Sequence, residues 1–281
     1  MPPNESLDLD TLLEDAVTIA RLAGALVLAR FAEGHTETHK GHAHNLVTET
    51  DHASEALIVE ALAERYPEHA IRAEEGRGAA GSGTHPPITW VVDPLDGTNN
   101  FAHGIPIFAV NLAAMRGDDV VVGVTFDPLR DELFTARRGG GAWLDGRRLA
   151  VSNRATLDEA IVATGFPYDK ATNPDNNLRE FVAVVPHVRG VRRLGSAALD
   201  LAYVAAGRLD AYWEHGTYAW DVAAGVLMVA EAGGRVTDYA GGPAHIDGGR
   251  FVASNGRIHA PLMRLLHEAT EMAAVAPVLS S

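Results

Sequence analysis

The sequence predicts a mixed α/β fold on three observations. Apolar residues recur at helical spacing near the N-terminus, strand-like runs separated by polar turns fill the stretch from 88 to 137, and alanine-rich helical segments alternate with short apolar runs after residue 190. The first helix is expected over 7–31, where Leu12, Leu13, Ala16, Ile19, Ala20, Ala23 and Val27 share one face and Asp8 or Asp10 provides the cap. Residues 33–45 are polar and histidine-rich, a loop or hairpin, and 51–66, rich in Ala, Leu and Glu, reads as a second helix. A short strand-like stretch ends at Ala73-Glu74-Glu75-Gly76, and 76–87 is a Gly/Ser/Pro loop. Strands are expected at 88–92, 107–115, 119–126 and 132–137, joined by the turns RGDD and DPLRDE into a meander. GGGAWLDGRRL adds a hairpin with an Asp-Gly turn. The polar segment 168–180 leads into a helix, 196–206 and 221–232 are helices, and short strands are expected at 209–213, 235–238 and 251–253.

Composition narrows the class. A chain of 281 residues buries a sizeable core as one large or two small domains. The net charge of −14 disfavours a nucleic-acid backbone or an anionic membrane as partner. Without cysteine there is neither disulfide nor thiolate chemistry, and the acidic start MPPNESLDLD lacks the features of a signal peptide, so a cytoplasmic location is expected. No run reaches the ~18 apolar residues of a membrane span.

Three stretches carry the chemistry. Within WVVDPLDGTNNF (90–101), an apolar run delivers Asp93 and Asp96 into a turn stiffened by Pro94, with Gly97 and Thr98 directly after. Two carboxylates held this close repel unless a cation sits between them, and hard divalent cations take oxygen ligands. Gly97 permits close approach of a backbone N–H to an anion, and Thr98 adds a hydroxyl. The plain alternative is an acidic turn built from good turn formers. In WDVAAGVLMVAEAGG (220–234), Asp221 either caps a core helix or serves as a further ligand. Taken alone, the pair Glu74-Glu75 is an ordinary surface feature. Acid clusters that bind divalent ions reconcile an acidic protein with a phosphate ligand, because the ions invert the local field.

Together, DPLDGTNNF and WDVAAGVLMVAEAGG resemble the motifs of the inositol monophosphatase family of metal-dependent phosphomonoesterases, with supporting matches LVTETD (46–51), AEEG (73–76) and LGSAALDLAYVAAGRLDAYWEHG (194–216) in the family's order over roughly 8–265. The resemblance implies an αβαβα layered fold of the sugar-phosphatase type. It reads 1–281 as one phosphatase unit with two subdomains, a metal-binding α+β part over about 1–150 and an α/β part over about 151–281 that supplies substrate contacts and Asp221. It implies Mg²⁺, two to three ions per site: Glu74, Asp93 and the Leu95 carbonyl on the first ion, Asp93 bridging to a second held by Asp96 and Asp221, and a weaker third near Glu74. Two ions roughly 4 Å apart can clamp the attacking and leaving oxygens of an in-line displacement and lower the pKa of a bound water. Asp51 and Thr98 match the pair that orients this water, with Glu74 beside them, and the Gly97 and Thr98 amides would bind phosphate oxygens. The leaving alcohol would be read by Gly195, Ser196, Ala197 and Glu214, against the plain readings of a helix start and a surface acid. Lithium sensitivity and a homodimer are also implied.

Inositol 1-phosphate is the expected substrate. Relatives acting on histidinol phosphate, fructose 1,6-bisphosphate or 3′-phosphoadenosine phosphate remain alternatives; Arg192 and Arg193 would suit a bisphosphate. An interaction protein without turnover is the alternative of another class. His35, His39, His42 and His44 around Lys40 read as a flap over the site rather than a transition-metal tract. Glu75 is a support for the metal ligands or a solvated acid, and Asp200 with Arg192 reads as a structural ion pair.

Overall fold

In the computed structural model, which describes residues 8–33, 37–39, 46–82 and 87–275, the chain opens with α1 (Leu9–Glu33). Asp8 rather than Asp10 caps it, accepting hydrogen bonds from the Asp10 and Thr11 amides at 3.0 and 3.4 Å. The predicted hairpin is present as the antiparallel pair β1 (Glu37–His39) and β2 (Leu46–Thr48). His35, Lys40, His42 and His44 lie outside the described residues. Helix α2 (Glu49–Arg65) starts two residues earlier than expected, because Thr48 is its N-cap and Asp51 closes a capping box at the third position.

Strand β3 (Ala70–Ala73) runs parallel to β4 (Thr89–Asp96). β4 outlasts its predicted end at 92: the two acids stand within the strand, not in a loop after it. Asp93 pairs with Asn111 and Asp96 with Ala109, so the register slips by one residue between them. Pro94 cannot donate to the ladder, and a bulge at the strand end accommodates it. The single turn α3 (Thr98–Ala102) follows, a helix the sequence did not announce. The predicted meander is then built by β5 (Ala109–Arg116), β6 (Asp119–Asp127), β7 (Glu132–Arg137), β8 (Gly141–Leu144) and β9 (Arg147–Arg148), giving a seven-stranded sheet in the order β3-β4-β5-β6-β7-β8-β9. The β8–β9 turn holds Asp145 and Gly146 at φ of 49° and 77°, the left-handed pair a two-residue hairpin needs.

The second half contains β10 (Ile161–Thr164), α4 (Leu178–Val184), β11 (Gly190–Arg192), α5 (Ala197–Ala205), β12 (Ala211–His215), α6 (Ala219–Glu231), β13 (Arg235–Asp238), β14 (Arg250–Ser254) and α7 (His259–Val275). Its five strands order as β11-β10-β12-β14-β13. The helix expected within 168–180 begins only at Leu178, and α6 begins at Ala219 rather than at Asp221.

Three apolar clusters define the layers. Leu12, Ile19 and Val27 of α1 and Ile58 and Leu62 of α2 pack on one face of the seven-stranded sheet against Trp90, Val92 and Val124. Its other face meets Val222, Ala223 and Met228 of α6 and Leu201 and Val204 of α5, which in turn cover Tyr212 and Phe251 of the second sheet. The far side of that sheet packs on Val184 of α4 and on Leu262 and Leu266 of α7. The stack is αβαβα, and the start of the middle helical layer faces the bulged end of β4.

Candidate active site

The bulge at the end of β4 decides where the acids go. Asp93 is buried, and its Oδ1 accepts from the Leu95 amide at 3.0 Å. Asp96, also buried, turns toward α5: its Oδ2 accepts from the Ser196 hydroxyl at 2.6 Å and from the Ala198 amide at 2.7 Å. Ser196 is at the same time the N-cap of α5 and accepts from Leu199 N at 3.3 Å. Gly97 sits at φ 101° with Ile107 O 2.9 Å from where a Cβ would be, so the turn after Asp96 closes only around glycine.

Thr98 and Asp51 meet as expected. The Thr98 hydroxyl lies 2.9 Å from Asp51 Oδ1 and 3.1 Å from the Leu95 carbonyl, while Asp51 Oδ2 takes the Thr48 amide at 2.8 Å and the Thr48 hydroxyl at 2.5 Å. Burial pushes the Asp51 carboxyl up, against the hydrogen bonds from Thr48 and Thr98.

Asp221 supports the start of a core helix, though from the third position rather than as the N-cap, and stands where the acids gather. It is the third residue of α6, where its Oδ2 caps the Tyr218 amide at 2.8 Å, and it lies among the other acids. Asn111 brings it there: from β5, opposite Asp93, its Nδ2 donates to the Trp220 carbonyl at 2.6 Å and its Oδ1 accepts from Thr125 at 2.7 Å. Glu74 follows β3, its amide bonded to Val92 O at 3.2 Å. The turn after it is held by buried Glu55, whose carboxylate accepts from the Glu75 and Arg77 amides at 2.6 and 2.9 Å. Sequence reasoning missed Asn111 and Glu55. The readable signal was a lone asparagine in the apolar run of β5; Glu55 sits on a helix full of charge and gave none.

The electrostatics follow from burial. Desolvation, and then the charges of Glu74, Asp96 and Asp221, push the Asp93 carboxyl well above the usual range. Asp221 is raised by burial and by Glu74 and Asp96. Asp96 rises to about 6 by burial, against the Ser196, Ala198 and Ala197 hydrogen bonds and the Arg193 charge. Four acids, two from β4, one from the turn after β3 and one from α6, thus meet, with like charges adding to the rise of Asp93 and Asp221, and a carboxylate set of this kind fits a hard divalent cation. Among the described residues, no three acidic or histidine side chains form a closed ligand set; the carboxylates of Asp93, Asp96 and Asp221 accept from backbone amides and, at Asp96, from the Ser196 hydroxyl.

A cleft of about 330 Å³ opens over this floor, lined by Glu74, Asp96, Asp221, Tyr168, Arg193, Gly195, Ser196, Ala197, Asp200, Tyr212 and Glu214. Glu214 projects from β12, accepts the Tyr212 hydroxyl, and is pushed up to about 7 by burial. Gly165 leaves it room, since a Cβ there would lie 2.0 Å from Glu214 Oε2. Asn100 ties the two halves together, donating to the carbonyls of Ile107 and Leu194, each at 2.8 Å.

With this geometry in hand, the sequence matches the profile of the inositol monophosphatase family over residues 8–271. It is 45% identical to an inositol-1-monophosphatase of Synechocystis over 92% of this chain and 90% of the relative, and 46% identical to Nus factor SuhB of Pseudomonas aeruginosa over 90% and 94%. A solved inositol monophosphatase from Anabaena superposes with a TM-score of 0.84 at 41% identity, covering 93% of this chain and 97% of that one. The chain belongs to the inositol monophosphatase family. The family's enzymes are phosphoric monoester hydrolases, and the layered fold is theirs. Among the described residues of this family member, no helix is long and apolar enough to cross a membrane.

The structural ion pair expected between Asp200 and Arg192 is not found among the described residues: Arg192 is exposed with Nη1 3.2 Å from Val191 O, and the cation that acts on Asp200 is Arg193.

Proposed function

We propose that the chain is a Mg²⁺-dependent phosphomonoesterase that hydrolyses inositol 1-phosphate to inositol and phosphate with water as nucleophile. The observation that carries this reading is that Glu74, Asp96 and Asp221 line one cleft and all three act on buried Asp93, with the Thr98–Asp51 hydrogen bond held at the end of the same strand. In this reading Glu74, Asp93, the Leu95 carbonyl, Asp96 and Asp221 hold two to three Mg²⁺ ions, which when bound neutralise phosphate charge and make water a nucleophile near neutral pH. The chain's own groups do the rest. Thr98 has one hydroxyl proton, and its protein neighbours within reach, Asp51 Oδ1 and Leu95 O, are both acceptors. Its lone pairs are therefore left to accept a proton from the attacking water, and Asp51 is the base behind it. The Gly97 and Thr98 amides face phosphate oxygens, and Gly195, Ser196, Ala197 and Glu214 meet the alcohol that leaves. Residues 1–281 act as one unit whose first part, about 1–150, carries most metal ligands and whose second, about 151–281, carries the alcohol side and Asp221. A homodimer, lithium sensitivity and a cytoplasmic location belong to the same proposal.

A relative named as a Nus factor supports a second reading, an interaction role in place of turnover. Phosphate release separates the two. With Mg²⁺ and with EDTA, the protein is offered inositol 1-phosphate, histidinol phosphate, fructose 1,6-bisphosphate and 3′-phosphoadenosine phosphate. Mg²⁺-dependent turnover led by inositol 1-phosphate is expected. Another substrate in the lead replaces the Glu214 assignment, and silence from folded protein on all four promotes the interaction reading.

A further inference from the structure

Three buried polar atoms of the cleft-lining residues have no hydrogen-bond partner among the described residues, Asp200 Oδ1, His215 Nε2 and Thr217 Oγ1, and Asp200 is the acid among them. Asp200, in the first turn of α5, is only 2% exposed and lines the cleft, and among the described residues its Oδ1 has no hydrogen-bond partner. Buried polar atoms are nearly always paired, so an orphan acceptor on a side chain that lines a cleft marks a place where a ligand can donate once it settles against that wall. Its neighbourhood is specific. Ser196 and Ala198, one turn earlier on α5, bond Asp96, so the helix start serves the metal-ligand side while Asp200 lies farther along toward Glu214 and Tyr212. The Glu214 carboxylate already accepts the Tyr212 hydroxyl. Arg193 is the only lysine or arginine among the described lining residues, set against Glu74, Asp96, Asp169, Asp200, Glu214 and Asp221. Burial, then the charges of Glu214 and Asp96, hold the Asp200 carboxyl well above its ordinary range, against Arg193.

We propose that Asp200 is a specificity-determining residue: its free Oδ1 accepts a hydrogen bond from a hydroxyl or amino group of the leaving alcohol, next to the groups read by Glu214, and the wall they form admits a neutral or cationic polar alcohol and rejects a second anionic group. This rests on the hydrolase reading above. A bisphosphate would place its second phosphate against an acid-rich wall with one guanidinium, Arg193, to offset it, and Arg192, which the sequence offered as a second, is not part of the wall.

The test is the kinetics of wild type, Asp200→Asn and Asp200→Ser with Mg²⁺ on inositol 1-phosphate, fructose 1,6-bisphosphate and p-nitrophenyl phosphate, whose leaving group carries no neighbouring hydroxyl. In the variants, KM for inositol 1-phosphate is expected to rise at least about tenfold more than KM for p-nitrophenyl phosphate, with kcat changing less than about threefold. The wild-type preference for inositol 1-phosphate over the bisphosphate, which needs no variant, is expected to exceed about tenfold and to narrow in Asp200→Asn. Equal effects on the two monoesters in a folded variant, or a wild-type preference for the bisphosphate, overturn the inference while leaving the hydrolase reading in place. No phosphate release by wild type from any of the three overturns both.

Discussion

At the scale of single residues, Asp93 is the group with most against it: buried, bonded only through the Leu95 amide, and facing three like charges. Asn at this position relieves repulsion and keeps the shape. Asp93→Asn is therefore expected to stay folded, with Tm in EDTA equal to or above wild type, while Mg²⁺ binding by calorimetry is lost and kcat falls on the order of a hundredfold or more. Wild-type turnover by this variant sinks the two-metal scheme. Glu214 differs, because it stands on the alcohol side with its carboxyl pushed up to about 7. As a charge-assisted acceptor it contributes on binding, so Glu214→Gln should raise KM for inositol 1-phosphate about tenfold with a smaller change in kcat. Since the group takes up a proton below about pH 7, wild-type KM should climb as pH falls from 8 to 6. The Gln variant, having no proton to take up, should lack that climb. Identical pH profiles for the two proteins would make Glu214 a bystander.

At the scale of elements, the site is a meeting of strand ends and helix starts, and its alignment depends on bonds between elements. Asn111 fastens β5 to the first turn of α6. Asn111→Ala removes the tie to the Trp220 carbonyl and leaves the buried Thr125 hydroxyl with only the Met228 sulfur at 3.9 Å among the described residues. It is expected to cost about 1–3 kcal/mol, to lower Tm by several degrees, and to lower kcat through the displacement of Asp221. A Tm drop with unchanged kcat would show that α6 keeps its place without this tie. The same elements show what the sequence could express. Long periodic pieces were legible: the α1 stripe, the meander, the Asp145-Gly146 turn. So were the acids, because DPLDGT and WD mark themselves by residue type. β10 was not, since four apolar residues, IVAT, carry no period that separates strand from helix. Helix α7 was passed over although Leu262, Leu266 and Ala269 have helical spacing; Pro261 in its first turn reads as a breaker until the helix start is known. The bulge at Pro94 and the partnering of Asp200 were illegible for a stronger reason. Both depend on which distant segments pack alongside, and no local pattern encodes that.

At the scale of the whole molecule, folding brings the far-apart positions 74, 93, 96 and 221 into one small volume, and that has a thermodynamic signature. Asp93 and Asp221 are held well above the ordinary carboxylate range by burial with neighbouring acids adding to the rise, and Asp96 at about 6 by burial, against its hydrogen bonds and Arg193. A carboxyl whose pKa is raised by folding binds its proton more tightly in the native state than in the unfolded one. For Asp96 the resulting contribution to stability falls as pH rises from the unfolded value near 4 through about 6, and Asp93 and Asp221, held well above the ordinary range, lose theirs as pH rises through their own raised values. A divalent cation bound by these acids replaces the missing protons. Ligand present at 100 times its Kd stabilises the native state by about 2.7 kcal/mol. Mg²⁺ should accordingly raise Tm by several degrees at pH 8 and by clearly less at pH 5.5, where protons compete for the same oxygens, and EDTA should reverse the gain. Asp93→Asn should lose the effect at both pH values. A Mg²⁺ shift of equal size at pH 5.5 and pH 8 would place the bound ions away from these carboxylates, and the acids would then have to be read as a structural cluster rather than as the floor of the catalytic cleft.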